Sequence, residues 1–303
     1  MTDARPLARL VRLRPVRHPV LVLIALLVTG TLATSAAAEI NMADSVEWAT
    51  ADADLVVRGT VRTATATPGP GAVVWHDVTV DVVETVKGAA ARTIVVAIRD
   101  VGAGVGARLA PGGGERLLFL VASARRAGDD PAYARAPFAL RPDDRAVIEL
   151  DAAAPGPVFT AGFAVLDRPG PILDAVRAAA VAPVTTSHRL DVPSDTAAFR
   201  ALYGGSAVWM TVPVDAALER RALAALRGPD TFARVDAVRA LAHFRSRVNT
   251  VRLVRLLVDP DFALVTEAGR APVRRFLVRA AAAEVLTAWG VAHPRPRLEV
   301  PAP

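Results

Sequence analysis

The spacing of apolar and polar positions changes twice along the chain, and each change marks a different kind of element. An unbroken apolar run covers residues 20–28 and fades through Thr29, Gly30, Thr31, Thr34 and Ser35 into Ala36-Ala37-Ala38. From Ala53 to about Ser123 the period is two. Val78, Val80 and Val82 alternate there with Thr79, Asp81 and Val83, the pattern of a half-buried strand. Residues 54–63, 93–98 and 115–123 predict further strands between Gly- or Pro-bearing turns, and residues 132–140 and 146–151 are candidates to complete the sheet. Short strands without intervening helices predict a barrel or sandwich. Beyond residue 214 the period lengthens to that of amphipathic helices, predicted over 216–226, 233–244, 249–258 and 278–289. In between, Ile172, Leu173, Val176 and Ala180 predict a helix placed to cap the helical region. Ser194 and Asp195 start a short helix to Tyr203, and residues 207–214 read as a strand.

These changes divide the chain into a leader (1–38), a β-barrel module (39–155), a connecting α/β segment (156–213), a helical module (214–293) and a Pro-rich tail (294–303), a two-domain α+β protein. The order Ala53-Asp54-Leu55-Val56-Val57-Arg58-Gly59-Thr60-Val61, then residues 78–86 running into Lys87-Gly88, then Gly114-Glu115-Arg116 before Leu117-Leu118-Phe119-Leu120, resembles the OB-like barrel of the netrin-like and tissue-inhibitor-of-metalloproteinases superfamily. The resemblance spans about 70 residues and implies a fold. Metalloproteinase inhibition in that family uses an N-terminal cysteine that chelates zinc, and a chain without cysteine cannot carry that chemistry over. In the helical module, residues 233–244 align with 278–289 at an offset of 45, and Leu226-Arg227-Gly228-Pro229-Asp230 echoes Leu257-Val258-Asp259-Pro260-Asp261 at 31. The difference predicts an insertion between Asp261 and Val278. Helix pairs of this length with an Asp-Pro-Asp turn resemble HEAT repeats.

Five arginines (Arg5, Arg9, Arg12, Arg14, Arg17) precede the apolar run, so the leader reads as an export signal cleaved between Ala38 and Glu39. The expected location is periplasmic or extracellular, with an uncleaved membrane anchor as the alternative and membrane contact only in that case. The leader also changes the charge. It holds five of the 36 basic residues and one of the 30 acidic ones, so the net charge falls from +6 to +2 without it. Basicity is then poor support for a nucleic-acid partner, and none is expected. The remaining charge is uneven, with 16 basic and 20 acidic groups over residues 39–213 against 15 and 9 over 214–303. That asymmetry suits an acidic protein partner. Arg234, Arg239, Arg252 and Arg255 are the candidate partner face, projecting from helices of the repeat.

Chemistry-bearing residues are sparse. His76, His188, His243 and His293 show no metal-ligand spacing. Ser187-His188 with Asp191 has the residue types of a triad without its nucleophile elbow, and Asp129-Asp130 and Asp143-Asp144 read as solvated turns. The glycines from Gly102 to Gly114 precede a strand, not the helix that a phosphate cradle requires. No catalytic residue, metal site or cofactor is assigned. The sequence therefore predicts an exported, non-enzymatic binding or scaffolding protein. The alternative is a hydrolase, or a hydrolase-associated subunit, with a site between modules where His188, His76 and the acidic pairs would have to converge.

Overall fold

A computed structural model of the chain describes residues 41–102, 104–142, 145–151, 157–182, 184–192, 208–266 and 271–302. The leader, the cleavage site Ala38 and Glu39, the Asp143-Asp144 pair and the helix expected from Ser194 to Tyr203 lie outside the described residues. Residues from Ile40 onward form one compact unit.

The period-two region closes into a five-stranded barrel built from β2 (Leu55–Pro68), β3 (Val74–Lys87), β4 (Thr93–Asp100), β5 (Arg116–Ala122) and β6 (Phe138–Leu140). Around the barrel the order is β2-β3-β4-β6-β5, and β5 returns to β2. All pairings are antiparallel except β4 with β6, where Val96 faces Phe138 and Ala97 faces Ala139. Alternation explains which residues enter: Leu55, Val57 and Val61 on β2, Val78 and Val80 on β3, and Ile94, Val96 and Ile98 on β4 fill the interior. On β5 both faces are buried. Leu118 and Leu120 point into the barrel, while Leu117 and Phe119 point outward under a second layer, so this strand reads as a continuous apolar run. Gly59 sits where β2 bends at irregular register, and a Cβ there would lie 2.5 Å from the Asp81 carbonyl oxygen. Short helical turns at Val105–Arg108, Ser123–Arg126 and the 3₁₀ segment Pro131–Arg135 interrupt the strand succession that the sequence predicts as helix-free.

The outer layer on β5 is formed by α1 (Val46–Asp52) and α2 (Pro169–Ala180), with β7 (Val147–Glu149) along its edge. Ile172, Leu173 and Val176 of α2 pack on Val46, Val56 and Phe119. The predicted helix is present, but it covers the barrel and not the helical module. Its buried stripe matches the apolar outer face of β5, the larger surface otherwise left in water. Lys87, the one lysine of the chain, donates to the carbonyls of Thr50, Ala51 and Ala53 at 2.8, 2.6 and 2.6 Å, capping the C-terminal end of α1. Gly88 beside it has φ +79°, and a Cβ there would lie 2.5 Å from the Asp54 carbonyl oxygen.

What the helices lean on is a three-stranded sheet of β1 (Asn41–Asp44), β11 (Val208–Pro213) and β10 (Ser187–Asp191). β1 pairs parallel with β11 and β10 pairs antiparallel, so the start of the described chain supplies an edge strand to the C-terminal region. The helices are α3 (Ala216–Ala225), α4 (Thr231–Leu241), α5 (Arg247–Leu256) and α6 (Leu277–Ala288). Asp215, Asp230 and Ser246 cap the first three by accepting backbone N–H bonds of 2.8 to 3.3 Å. α4 packs between α3 and α6, and α6 reaches α5. One core joins Val238 and Leu241 of α4, Leu253 of α5 and Leu286 of α6 to Met210 and Val212 of β11. In place of a loop alone, the predicted insertion carries strands Ala263–Val265 and Val273–Arg275, and the Pro-rich tail adds Glu299–Pro301 to them. No helix among the described residues is long and apolar enough to cross a membrane.

Candidate functional site

Small side chains on facing helices leave room between them. Ala222 on α3 faces Ala233, Ala237 and Ala240 on α4, and with Leu190 of β10 and Leu218 they line a cavity of about 250 Å³. Ala233, Ala237 and Ala240 fall at positions i, i+4 and i+7, which places them along one side of the helix. Ala233 is exposed and Ala237 and Ala240 are buried, so the opening lies toward the N-terminal end of α4.

Four polar or aromatic groups are set into this apolar wall. Arg221 of α3 lays its guanidinium over the Phe163 ring, 4.7 Å from the centroid. Its Nη1 is buried with no hydrogen-bond partner. Burial lowers the Arg221 pKa, and the charges of Glu47 and Asp215 oppose that shift. Phe163 holds its ring from the turn between β8 (Val158–Phe159) and β9 (Val165–Leu166) with φ 64°, a left-handed backbone unusual for an aromatic residue. The turn is fixed by Phe163 N–H donating to the Thr160 carbonyl at 2.9 Å and by Glu47, which accepts from Ala161 N–H at 2.7 Å. Burial raises the Glu47 carboxyl above its ordinary range. At the other side of the cavity, Asp191 of β10 and Asp236 of α4 share the lining, and Asp236 lies 3.7 Å from the Arg239 guanidinium. Burial first, then the Asp191 charge, push Asp236 up to about 6.

A second pair continues this seam. His188 Nδ1 lies 3.2 Å from His243 Nε2, with the rings edge to face at 5.1 Å. Burial, then the charges of His243 and Arg239, hold the His188 imidazole down at about 4, and its Nε2 is buried without a partner. Burial also lowers His243. Sheet and helix thus meet through two imidazoles and the carboxyls of Asp191 and Asp236.

The other candidates fall elsewhere. His76 stands on β3, 4.0 Å from Asp100 and under Gly106, on a different sheet from His188. Asp129 pairs with Arg126 at 2.6 Å, and Asp130 caps the 3₁₀ segment. Ser187 and Asp191 sit at opposite ends of β10, which separates the triad-like residues. Arg234 does not project toward a partner. It is 9% exposed and forms ion pairs with Asp259 and Asp261, which tie α4 to the Asp-Pro-Asp turn. Arg252 turns back to Asn249 at 2.9 Å, while Arg239 and Arg255 are exposed. Among the described residues no group of three His, Asp or Glu is placed to hold a metal.

A larger cavity of about 430 Å³ opens at one end of the barrel among Arg99, Arg108, Arg126 and Arg141. Its guanidiniums are spoken for: Arg126 donates to Asp129, Tyr133 and the Leu140 carbonyl, Arg108 to the Val147 carbonyl, and Arg141 to Asp44 and Asp52. The apolar cavity with an unsatisfied Arg221 is the better candidate. Compared with known proteins, the chain matches no family model, no curated protein and no solved structure.

Proposed function

We propose that this chain is an exported binding protein in which an OB-like barrel is fused to a short HEAT-like helical module, and that it holds a small apolar ligand in the helical module. The barrel order with a parallel contact between its third and fifth strands supports the OB-like reading. The adjacency of α4 and α6, which contain the repeated sequence, supports the helical one. The observation that carries the binding reading is the cavity itself, an apolar chamber whose wall includes Arg221, one nitrogen of which is buried without a hydrogen-bond partner.

Two measurements test it. Mass spectrometry of the natively produced protein should find Glu39 at the N-terminus; a retained Met1 would replace export by anchorage. Toluene, a neutral apolar probe, should raise the unfolding temperature of the full chain, and Ala237→Leu, which fills the cavity, should abolish the shift. An unchanged temperature in the parent chain would remove the cavity as a binding site. The hydrolase reading has one observation in its favour, two acidic side chains in one pocket lining, Asp191 and Asp236, the second with its carboxyl raised by burial. Turnover of a small apolar ester, lost in Asp236→Asn, would establish it.

A further inference from the structure

We infer that the cavity takes a small monocarboxylic acid with a compact apolar body, its carboxylate on Arg221 and its body between α3 and α4. This rests on the binding reading above and deepens it by naming the ligand class. Three features of the site converge on it.

The first is the unsatisfied donor. A buried N–H without a partner is costly, and a guanidinium is a planar fork of donors that a carboxylate meets with two parallel bonds. Stacking on Phe163 fixes the plane of that fork, and the left-handed Phe163 backbone is a local cost incurred to place the ring there. Glu47 and Asp215 act on Arg221 through their charges. Glu47 already accepts from Ala161, and Asp215 accepts from Ala217 and Leu218 at the start of α3. Neither is hydrogen-bonded to the Arg221 Nη1, which stays without a partner.

The second feature is size and polarity. A dry apolar cavity of ~150 Å³ holds benzene, so about 250 Å³ accommodates one ring or a short branched chain with a carboxylate attached. Alanine and leucine walls offer no partner to a polar body. The third feature is the acidic pair Asp191 and Asp236, which shares the lining with Arg221. A second carboxylate on the ligand would meet that pair and be repelled, so one acid group is accepted and two are not.

The experiment compares phenylacetate, phenylacetamide and 1,4-phenylenediacetate by calorimetric titration of the full chain at pH 7. The expected result is phenylacetate binding about tenfold tighter than its amide, the diacid binding weaker than either, and Arg221→Met bringing acid and amide to parity. Equal affinity of acid and amide in the parent chain overturns the inference and leaves the apolar cavity standing. Failure of all three, with no toluene shift, overturns the binding reading itself. Should Arg221→Met not fold, the parent comparison of acid with amide still decides. Retained amide binding in a folded Arg221→Met variant shows that only the carboxylate contact was removed.

Discussion

Replacing Arg141 by methionine is expected to lower the unfolding free energy by about 3–5 kcal/mol, the cost of leaving buried partner charges uncompensated. The Arg141 side chain is 5% exposed at the end of β6, and it pairs with Asp44 of β1 and, at 2.7 Å, with Asp52 at the end of α1. It therefore joins the barrel, the helix layered on it and the sheet beneath the C-terminal helices. Burial works to raise the Asp52 pKa, but hydrogen bonds from Arg141 and Arg125 outweigh it and hold the carboxyl below its ordinary value. A carboxyl depressed in this way stabilises the fold above its unfolded pKa, and that stability is lost as pH falls through the folded value. In Arg141→Met the sign reverses for whichever carboxyl is left buried and unpaired, so acidification should restore part of the loss. Urea unfolding at pH 7 and pH 4 reads both effects. The triple variant Arg141→Met, Asp44→Asn, Asp52→Asn should recover much of the deficit; a triple variant as weak as the single one would show that packing, and not stranded charge, dominates.

The second large effect is hidden by cancellation. His188 titrates at about 4 in the folded chain against an ordinary 6.5, so the unfolded state holds the extra proton and stability falls as pH drops from 6.5 to 4. Asp236 titrates at about 6 against 3.8, so the folded state holds the extra proton and stability falls as pH rises from 4 to 6. The slopes are equal and opposite where the windows overlap. Asp236→Asn should uncover the first: relative to the parent, the variant loses about 1–2 kcal/mol between pH 6.5 and pH 4, after allowance for partial solvent exposure. His188→Gln should uncover the second, with stability relative to the parent falling between pH 4 and pH 6. Variants that track the parent across this range would show that the seam between β10 and α4 is solvated. His243 titrates in the same direction as His188, and Glu47 in the same direction as Asp236. Only differences between variant and parent therefore isolate each group.

The parts of the fold legible in the sequence are those governed by periodicity. Alternation at Val78, Val80 and Val82 anticipated β3, and the apolar run over 115–123 anticipated β5, whose burial on both faces only the structure shows. The helices of the C-terminal region also fall where the amphipathic pattern puts them, to within a few residues. What an element packs against was harder to read. The stripe of α2 fits any apolar surface, and nothing local distinguishes the barrel from the helical module. Arg234 and Arg239 are alike as residues five positions apart on one helix. Only the folded position of Asp259 and Asp261 turns the first inward, although those aspartates were visible as the turn that ends α5. The cavity left one readable trace, the alanines at 233, 237 and 240. Its polar and aromatic groups come from α3, β10, α4 and the turn before β9, elements distant in sequence that meet only in the folded chain.

That pairing includes β1, and the order of synthesis then constrains assembly. The five barrel strands, all within residues 55–140, can associate as soon as that stretch has emerged. Asn41 to Asp44, made earlier, have no strand to join until Val208 to Thr211 follow. This early-made segment is thus among the last to settle, an exposed edge available to chaperones or to other chains in the interval.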